Sequence, residues 1–68
     1  MLDGNKLRRL REAQDLNITE FAEKIGASHT MVSLMERGLK QPGISLLQRM
    51  ADYFGCTTDE LLKKPETA

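Results

Sequence analysis

Few side chains in this 68-residue sequence are of the types that make or break bonds, and those few stand apart. His29 is the sole histidine and Cys56 the sole cysteine. Nucleophilic catalysis needs a hydroxyl or thiol within hydrogen-bond reach of a base that a third group orients. The nearest approximation is His29 with Ser28 and Ser33, but Ser33 lies a full helical turn from His29. Both residues face outward, and no glycine-rich loop stands beside them to form a pocket. One histidine and one cysteine cannot supply the three or four ligands of a zinc site, and a lone cysteine forms no internal disulfide. Cys56 therefore reads as a small buried thiol. Gly26, Gly38, Gly43 and Gly55 are isolated at helix ends and do not cluster into a phosphate-binding loop. The residues predict a protein that is not an enzyme and that carries neither metal nor cofactor.

What remains is recognition. Residues 26–38, "GASHTMVSLMERG", form a short helix between two glycines. If Val32 and Met35 face a core, the outward side offers His29, Thr30, Ser33, Leu34 and Arg37, with Met31 at its edge. A helix has the width to enter the major groove of B-DNA, where its first residues can reach base edges. The bland alternative is that this helix and the one before it are simply two packed helices of a small bundle.

The rest of the chain must position that helix. Sixty-eight residues make one domain, which buries only about 60% of the surface its unfolded chain exposes, so the large apolar residues are structural first. With 40% hydrophobic and 29% charged residues the chain should fold. It has no apolar run of the roughly 18–20 residues that cross a bilayer, and "MLDGNKLRRLREAQ" lacks a signal peptide's apolar stretch. A cytoplasmic protein without membrane contact is expected. Ten basic residues balance ten acidic ones. Locally, Lys6, Arg8, Arg9 and Arg11 outweigh Asp3 and Glu12, so a basic surface must come from the first helix and from the loop at Lys40.

Apolar spacing predicts helices throughout and an all-α fold. The first runs from residue 3 or 4 to 14, with Leu7, Leu10 and Ala13 inward and Arg8, Arg9 and Glu12 toward water. The second runs over 18–25, with an Asn17–Glu20 capping box and a Leu16–Phe21 hydrophobic staple, and Phe21, Ala22 and Ile25 face inward. Gly26 ends it, Ser28 caps the third at 29–37, and Ala27 and Val32 stand at staple spacing. The "GLKQPG" loop cannot be helical through Pro42. The fourth helix opens at Gly43 or Ser45, turns Leu47, Met50, Ala51 and Phe54 inward, and ends at Gly55. The fifth, capped by Thr57 with Glu60, runs to residue 63 before Pro65. The domain is expected over 1–64, with a frayed tail at 65–68.

At "FAEKIGAS", "MERG" (35–38) and "MADYFGCTTDELL" the sequence resembles the lambda-repressor and Cro-like helix-turn-helix proteins, the Xre family, over residues 4–62. The resemblance implies a five-helix domain whose second and third helices are the helix-turn-helix, the third being the reading helix. It implies base reading by His29, Thr30, Ser33 and Leu34. DNA-backbone contacts would come from Arg37 and Lys40 and from the helix starts at Asn17, Ile18 and Ser28. Arg11 and Glu36 match a pair that forms a salt bridge, tying two helices together and aiming Arg11 at a phosphate. A homodimer on a palindromic double-stranded operator is implied, with half-sites about 34–36 Å apart. Tyr53, Leu61 and Leu62 are its interface candidates, although core packing is the stronger reading of Leu61.

Ile18 stands where the family usually has glutamine, which removes a side-chain phosphate contact. Leu34 replaces a polar residue and in a groove can meet only a thymine methyl or a sugar edge. Zero net charge lowers the expected non-specific affinity, because counterion release scales with the phosphates neutralised. The expectation is a transcriptional regulator, a repressor or small controller protein. Its competitor is a protein–protein interaction module, antitoxin-like or a coactivator adaptor, favoured by Leu34, Met31, Ile18 and the neutral charge.

Overall fold

The computed structural model describes residues 1–63. Residue 64, Pro65 and the predicted tail at 65–68 lie outside the described residues. Five helices follow in order: α1 (Gly4–Ala13), α2 (Ile18–Ile25), α3 (His29–Glu36), α4 (Ile44–Phe54) and α5 (Thr58–Leu61). The fold is all-α, as the apolar spacing predicts. Its β-pairing among the described residues is a single antiparallel bridge between Leu2 and Leu62.

Local caps set most helix starts. Asp3 accepts the Lys6 N–H at α1, Ser28 accepts the Met31 N–H at α3, and Asn17–Glu20 and Thr57–Glu60 form full capping boxes at α2 and α5. Each cap satisfies an amide that the helix itself leaves without a partner. Between α1 and α2 the chain turns through Asp15, which holds a left-handed φ of 57°. Aspartate tolerates that region better than most side chains because its short carboxylate can bond locally.

Every helix sends at least one fully buried side chain to the centre: Leu7 from α1, Phe21 from α2, Val32 and Met35 from α3, Met50 from α4 and Leu61 from α5. Phe21 stacks on Phe54 at 5.3 Å between ring centroids, and Tyr53 meets Phe54 edge-on at 5.3 Å, which closes the α2–α4 side. Leu47 and Phe54, expected inside, are half-buried at the margin of this core.

Cys56, expected buried, is likewise half-buried, and α3 ends at Glu36 with Arg37 as its cap. Further expectations need correction. Ala13 is exposed, and Arg11 takes the buried place on α1; a polar residue won the inner face because it has a partner there. The fifth helix stops at Leu61, since Leu62 is extended and paired with Leu2. Leu61 is 0% exposed and belongs to the core of one chain, so it has no surface for a second copy.

Gly4 fixes how α1 meets α3. A Cβ at this position would stand 2.6 Å from the carbonyl oxygens of both Met35 and Glu36. The start of α1 therefore rests on the end of α3, where their opposite partial charges attract. Gly4→Ala should force the two backbones apart and destabilise the domain by about 1–3 kcal/mol, the usual cost of overpacking. Urea denaturation should show a lower midpoint at an unchanged slope. An unchanged midpoint would mean that the α1–α3 contact yields freely.

Candidate nucleic-acid interface

The helix pair α2–α3 is joined by three residues. Gly26 ends α2 at φ 69° and ψ 35°, a left-handed conformation that costs glycine little, and Ala27 N–H reaches back to Ala22 O at 2.9 Å. Ser28 is then extended and starts α3. The buried pair Val32 and Met35 pins one side of α3 to the core, which sends His29 and Thr30 into solvent at its first turn. Ser33 and Leu34 are half-buried one turn on, and Arg37 and Lys40 are exposed beyond the helix end. The face leads with an imidazole and a hydroxyl, which can donate and accept hydrogen bonds.

At the end of α3 lies the Arg11–Glu36 pair. Arg11 Nε donates to Glu36 Oε2 at 2.7 Å and Nη2 to Oε1 at 3.0 Å, while Nη1 donates to Leu16 O at 2.7 Å. The two side chains are 10% and 6% exposed. The predicted salt bridge is therefore present, fork to fork, and ties α1, the α1–α2 turn and α3 to one point. The hydrogen bond to Glu36 raises the guanidinium pKa against the opposing effect of burial, so Arg11 is charged at any pH the fold survives. Three of its five N–H donors are used, and two remain.

Arg11 also borders a shallow cavity of about 220 Å³, together with Arg8, Ile18, Ser33, Glu36 and Arg37. Three arginines and one glutamate border it, and Arg11 already neutralises the Glu36 carboxylate. Arg8 has only a loose partner, Glu12 at 3.6 Å, with both side chains more than half exposed. The cavity is thus locally cationic in a chain whose net charge is zero, and it abuts α3 at Ser33. Arg8 faces water as expected and belongs to the basic surface expected of α1, but the sequence reading did not single it out as a neighbour of this cavity. Its spacing three positions before Arg11 was the available signal, since such residues share one helix face.

The start of α2 offers less than expected. Asn17 N–H donates to Glu20 Oε1 at 3.0 Å, and Asn17 Oδ1 accepts the Glu20 N–H at 2.8 Å. The Asn17 backbone amide is therefore taken, and a carboxylate sits at the helix start. The Ile18 N–H, without an intrahelical acceptor, and the Asn17 side-chain amide remain as donors. Ser28 Oγ accepts the Met31 N–H at 3.0 Å, which leaves its hydroxyl proton free to donate.

Burial and the neighbouring Glu60 raise the Cys56 pKa, which keeps the thiol protonated and a weak nucleophile at neutral pH. Among the described residues, no group of three His, Cys, Asp or Glu side chains could hold a metal ion, and no helix is long and apolar enough to cross a membrane. Tyr53 and Leu62 are half-buried, the first in the aromatic cluster and the second in the bridge to Leu2.

With this geometry in place, comparison with known proteins gives a consistent result. A family model described as helix-turn-helix matches residues 7–61. The cryptic phage CTXphi transcriptional repressor RstR of Vibrio cholerae is 32% identical over 64 residues, which cover 94% of this chain and 58% of RstR. The HTH-type transcriptional activator BcrR of Enterococcus faecalis is 34% identical over 63 residues, covering 93% of this chain and 31% of BcrR. The chain spans less than two thirds of the length of either relative. Among solved structures, the P22 c2 repressor in complex with synthetic operator 9T superposes with a TM-score of 0.85 at 25% identity, over 93% of this chain and 96% of that one.

The ion pair should behave as buried pairs do. Arg11→Met leaves the Glu36 carboxylate enclosed without a partner and should cost about 3–5 kcal/mol. That is a large share of the roughly 3–10 kcal/mol that a domain of this length possesses. Changing both residues, Arg11→Met with Glu36→Leu, should recover most of the loss, because two apolar groups leave no stranded charge. Thermal and urea unfolding of the single and double variants checks this. A double variant as unstable as the single one would show that the guanidinium contributes through packing instead.

Proposed function

The chain belongs to the helix-turn-helix family, and on that premise we propose that it is a sequence-specific, double-stranded-DNA-binding regulator of transcription that inserts α3 into the major groove. The observation that carries this reading is the cationic cavity beside an exposed and almost uncharged α3 face. Phosphate contacts position a protein on DNA, whereas base contacts specify the sequence. This chain divides the two tasks between different residues.

His29 and Thr30, exposed at the first turn of α3, meet base edges. Ser33 follows one turn later, and Leu34 lies against a thymine methyl or the sugar edge. Arg37, Lys40 and Arg8 take phosphates, joined by the two spare donors of Arg11 and by the Ile18 amide. The cavity supplies positive charge where the glutamine expected at position 18 is lacking. Each phosphate neutralised releases counterions, and the acidic residues elsewhere on the chain keep non-specific affinity modest. No catalytic step is assigned to it.

The chain acts as a homodimer on a palindromic operator, and Tyr53 and Leu62 remain the interface candidates now that Leu61 lies in the core. Such a domain represses by occupying its site. The work is done in the cytoplasm, on DNA, without a membrane or cofactor.

Selection of the purified protein against a random duplex library should enrich a two-fold symmetric motif with half-sites about 34–36 Å apart. Thr30→Ala and His29→Ala should each change or erase the preference at the positions they read, at about 1–3 kcal/mol per contact. Arg37→Gln and Lys40→Gln should weaken all duplexes alike and lower the salt dependence by about one ion each. Failure to enrich any motif would turn the reading toward a protein partner docking on Leu34 and Met31.

A further inference from the structure

The loop that carries Lys40 is held from a distant part of the chain. Gln41 is exposed on that loop, yet its Oε1 accepts the Leu2 N–H at 2.8 Å, across 39 positions of sequence. Leu2, only 3% exposed, is the middle residue of a short extended strap. Along one edge of the strap, Asp3 N–H donates to Leu61 O at 2.8 Å and Lys63 N–H donates to Met1 O at 2.7 Å. At Leu2 itself the amide points the other way, and Gln41 takes it. One residue further, Gly4 abuts the Met35 and Glu36 carbonyls. Leu2, Gly4, Arg37, Gly38, Gln41 and Lys63 border one cleft of about 130 Å³.

The two partners of this bond have different needs. The Gln41 amide, on an exposed loop, would be hydrated as well without Leu2. The Leu2 N–H, in a buried residue, would be left unsatisfied without Gln41, which costs far more than the net gain of an ordinary hydrogen bond. The bond therefore holds. Pro42 follows at once and biases Gln41 toward extended backbone, so Lys40 is flanked by a residue with little freedom.

We infer that Gln41 is a positioning residue for DNA binding: by anchoring the α3–α4 loop to the N-terminal strap, it sets the place at which Lys40 meets a phosphate. The inference rests on the DNA-binding function proposed above. It adds a residue that acts through its neighbour and not by touching the duplex.

Gln41→Met keeps the side-chain length and removes the acceptor. Wild type, Gln41→Met, Lys40→Gln and the double variant are each titrated with a mixed-sequence duplex over a range of salt concentrations, so that only the phosphate contribution is read. Lys40→Gln should lower the salt dependence by about one ion, and Gln41→Met should cause a similar drop with about a threefold loss of affinity. The double variant should bind no more weakly than Gln41→Met alone, since Lys40 has already lost its place. Additive losses would overturn the inference in favour of a direct Gln41 contact. Unchanged affinity and salt dependence in Gln41→Met would overturn it in favour of a purely structural bond, whatever the melting temperature does. Amide exchange at Leu2 reads the anchor without DNA: protection should be lost in Gln41→Met and kept in Gln41→Glu, whose carboxylate still accepts. Protection that survives in Gln41→Met would also overturn the inference. A wild-type protein with no salt-sensitive DNA binding would instead sink the functional reading on which it rests.

Discussion

Arg11 and Glu36 are the constraint on which the arrangement turns. Three short elements are joined at one guanidinium: α1 by its own backbone, α3 by Glu36, and the turn into α2 by Leu16 O. Burying two charges in so small a domain costs several kcal/mol before any pairing. The two-pronged geometry and the third bond to a carbonyl offset that cost. The pair thereby fixes the end of α3 relative to α1 with a precision that apolar contacts lack, because dispersion is non-directional and bidentate hydrogen bonds are not.

Neutrality then becomes intelligible. A chain with equal numbers of acids and bases can still hold a phosphate where exposed bases outnumber the acids near them. Glu36 is matched by Arg11, Glu20 and Glu60 serve in capping boxes, and Asp3 caps α1. Each of these carboxylates has a local structural duty, whereas Arg37 and Lys40 stand exposed beyond the end of α3 and Arg8 has only one loose partner. Net charge averages over this division. The field near α3 does not, because at physiological salt the screening length is only about 8 Å and nearby groups dominate.

How legible this was depends on the range of each signal. Caps, staples and left-handed glycines involve residues within about five positions of one another, and the sequence marks them openly: Asn17 with Glu20, Ser28, Gly26, Thr57 with Glu60. The core followed from helical spacing, except where a polar residue displaced an apolar one. Periodicity places Ala13 on the inner face because it weighs hydrophobicity alone, and Arg11 can occupy that face only because Glu36, 25 positions away, is there to receive it. The family resemblance supplied that pairing; spacing did not. Gly4, Leu2 and Gln41 were illegible for the same reason in stronger form. A glycine chosen for close approach looks like one chosen for a turn. An amide that needs a side-chain acceptor across 39 positions leaves no periodic trace.

These long-range contacts converge on α3. Its start is set by the Gly26 turn and the Ser28 cap, its middle by Val32 and Met35 in the core, and its end by Glu36 on Arg11 and by the close approach of Gly4. An eight-residue helix is too short to persist alone in water, because nucleation is costly and few bonds repay it. Its order is borrowed from the domain. That borrowing bears on recognition, since a helix fixed before it meets DNA need not be ordered at the moment of binding, and the ordering of side chains and loops is a main cost of association. The exposed first turn of α3, with His29 and Thr30, takes no part in these contacts, so the residues that hold the helix and the residues it presents to solvent are different sets.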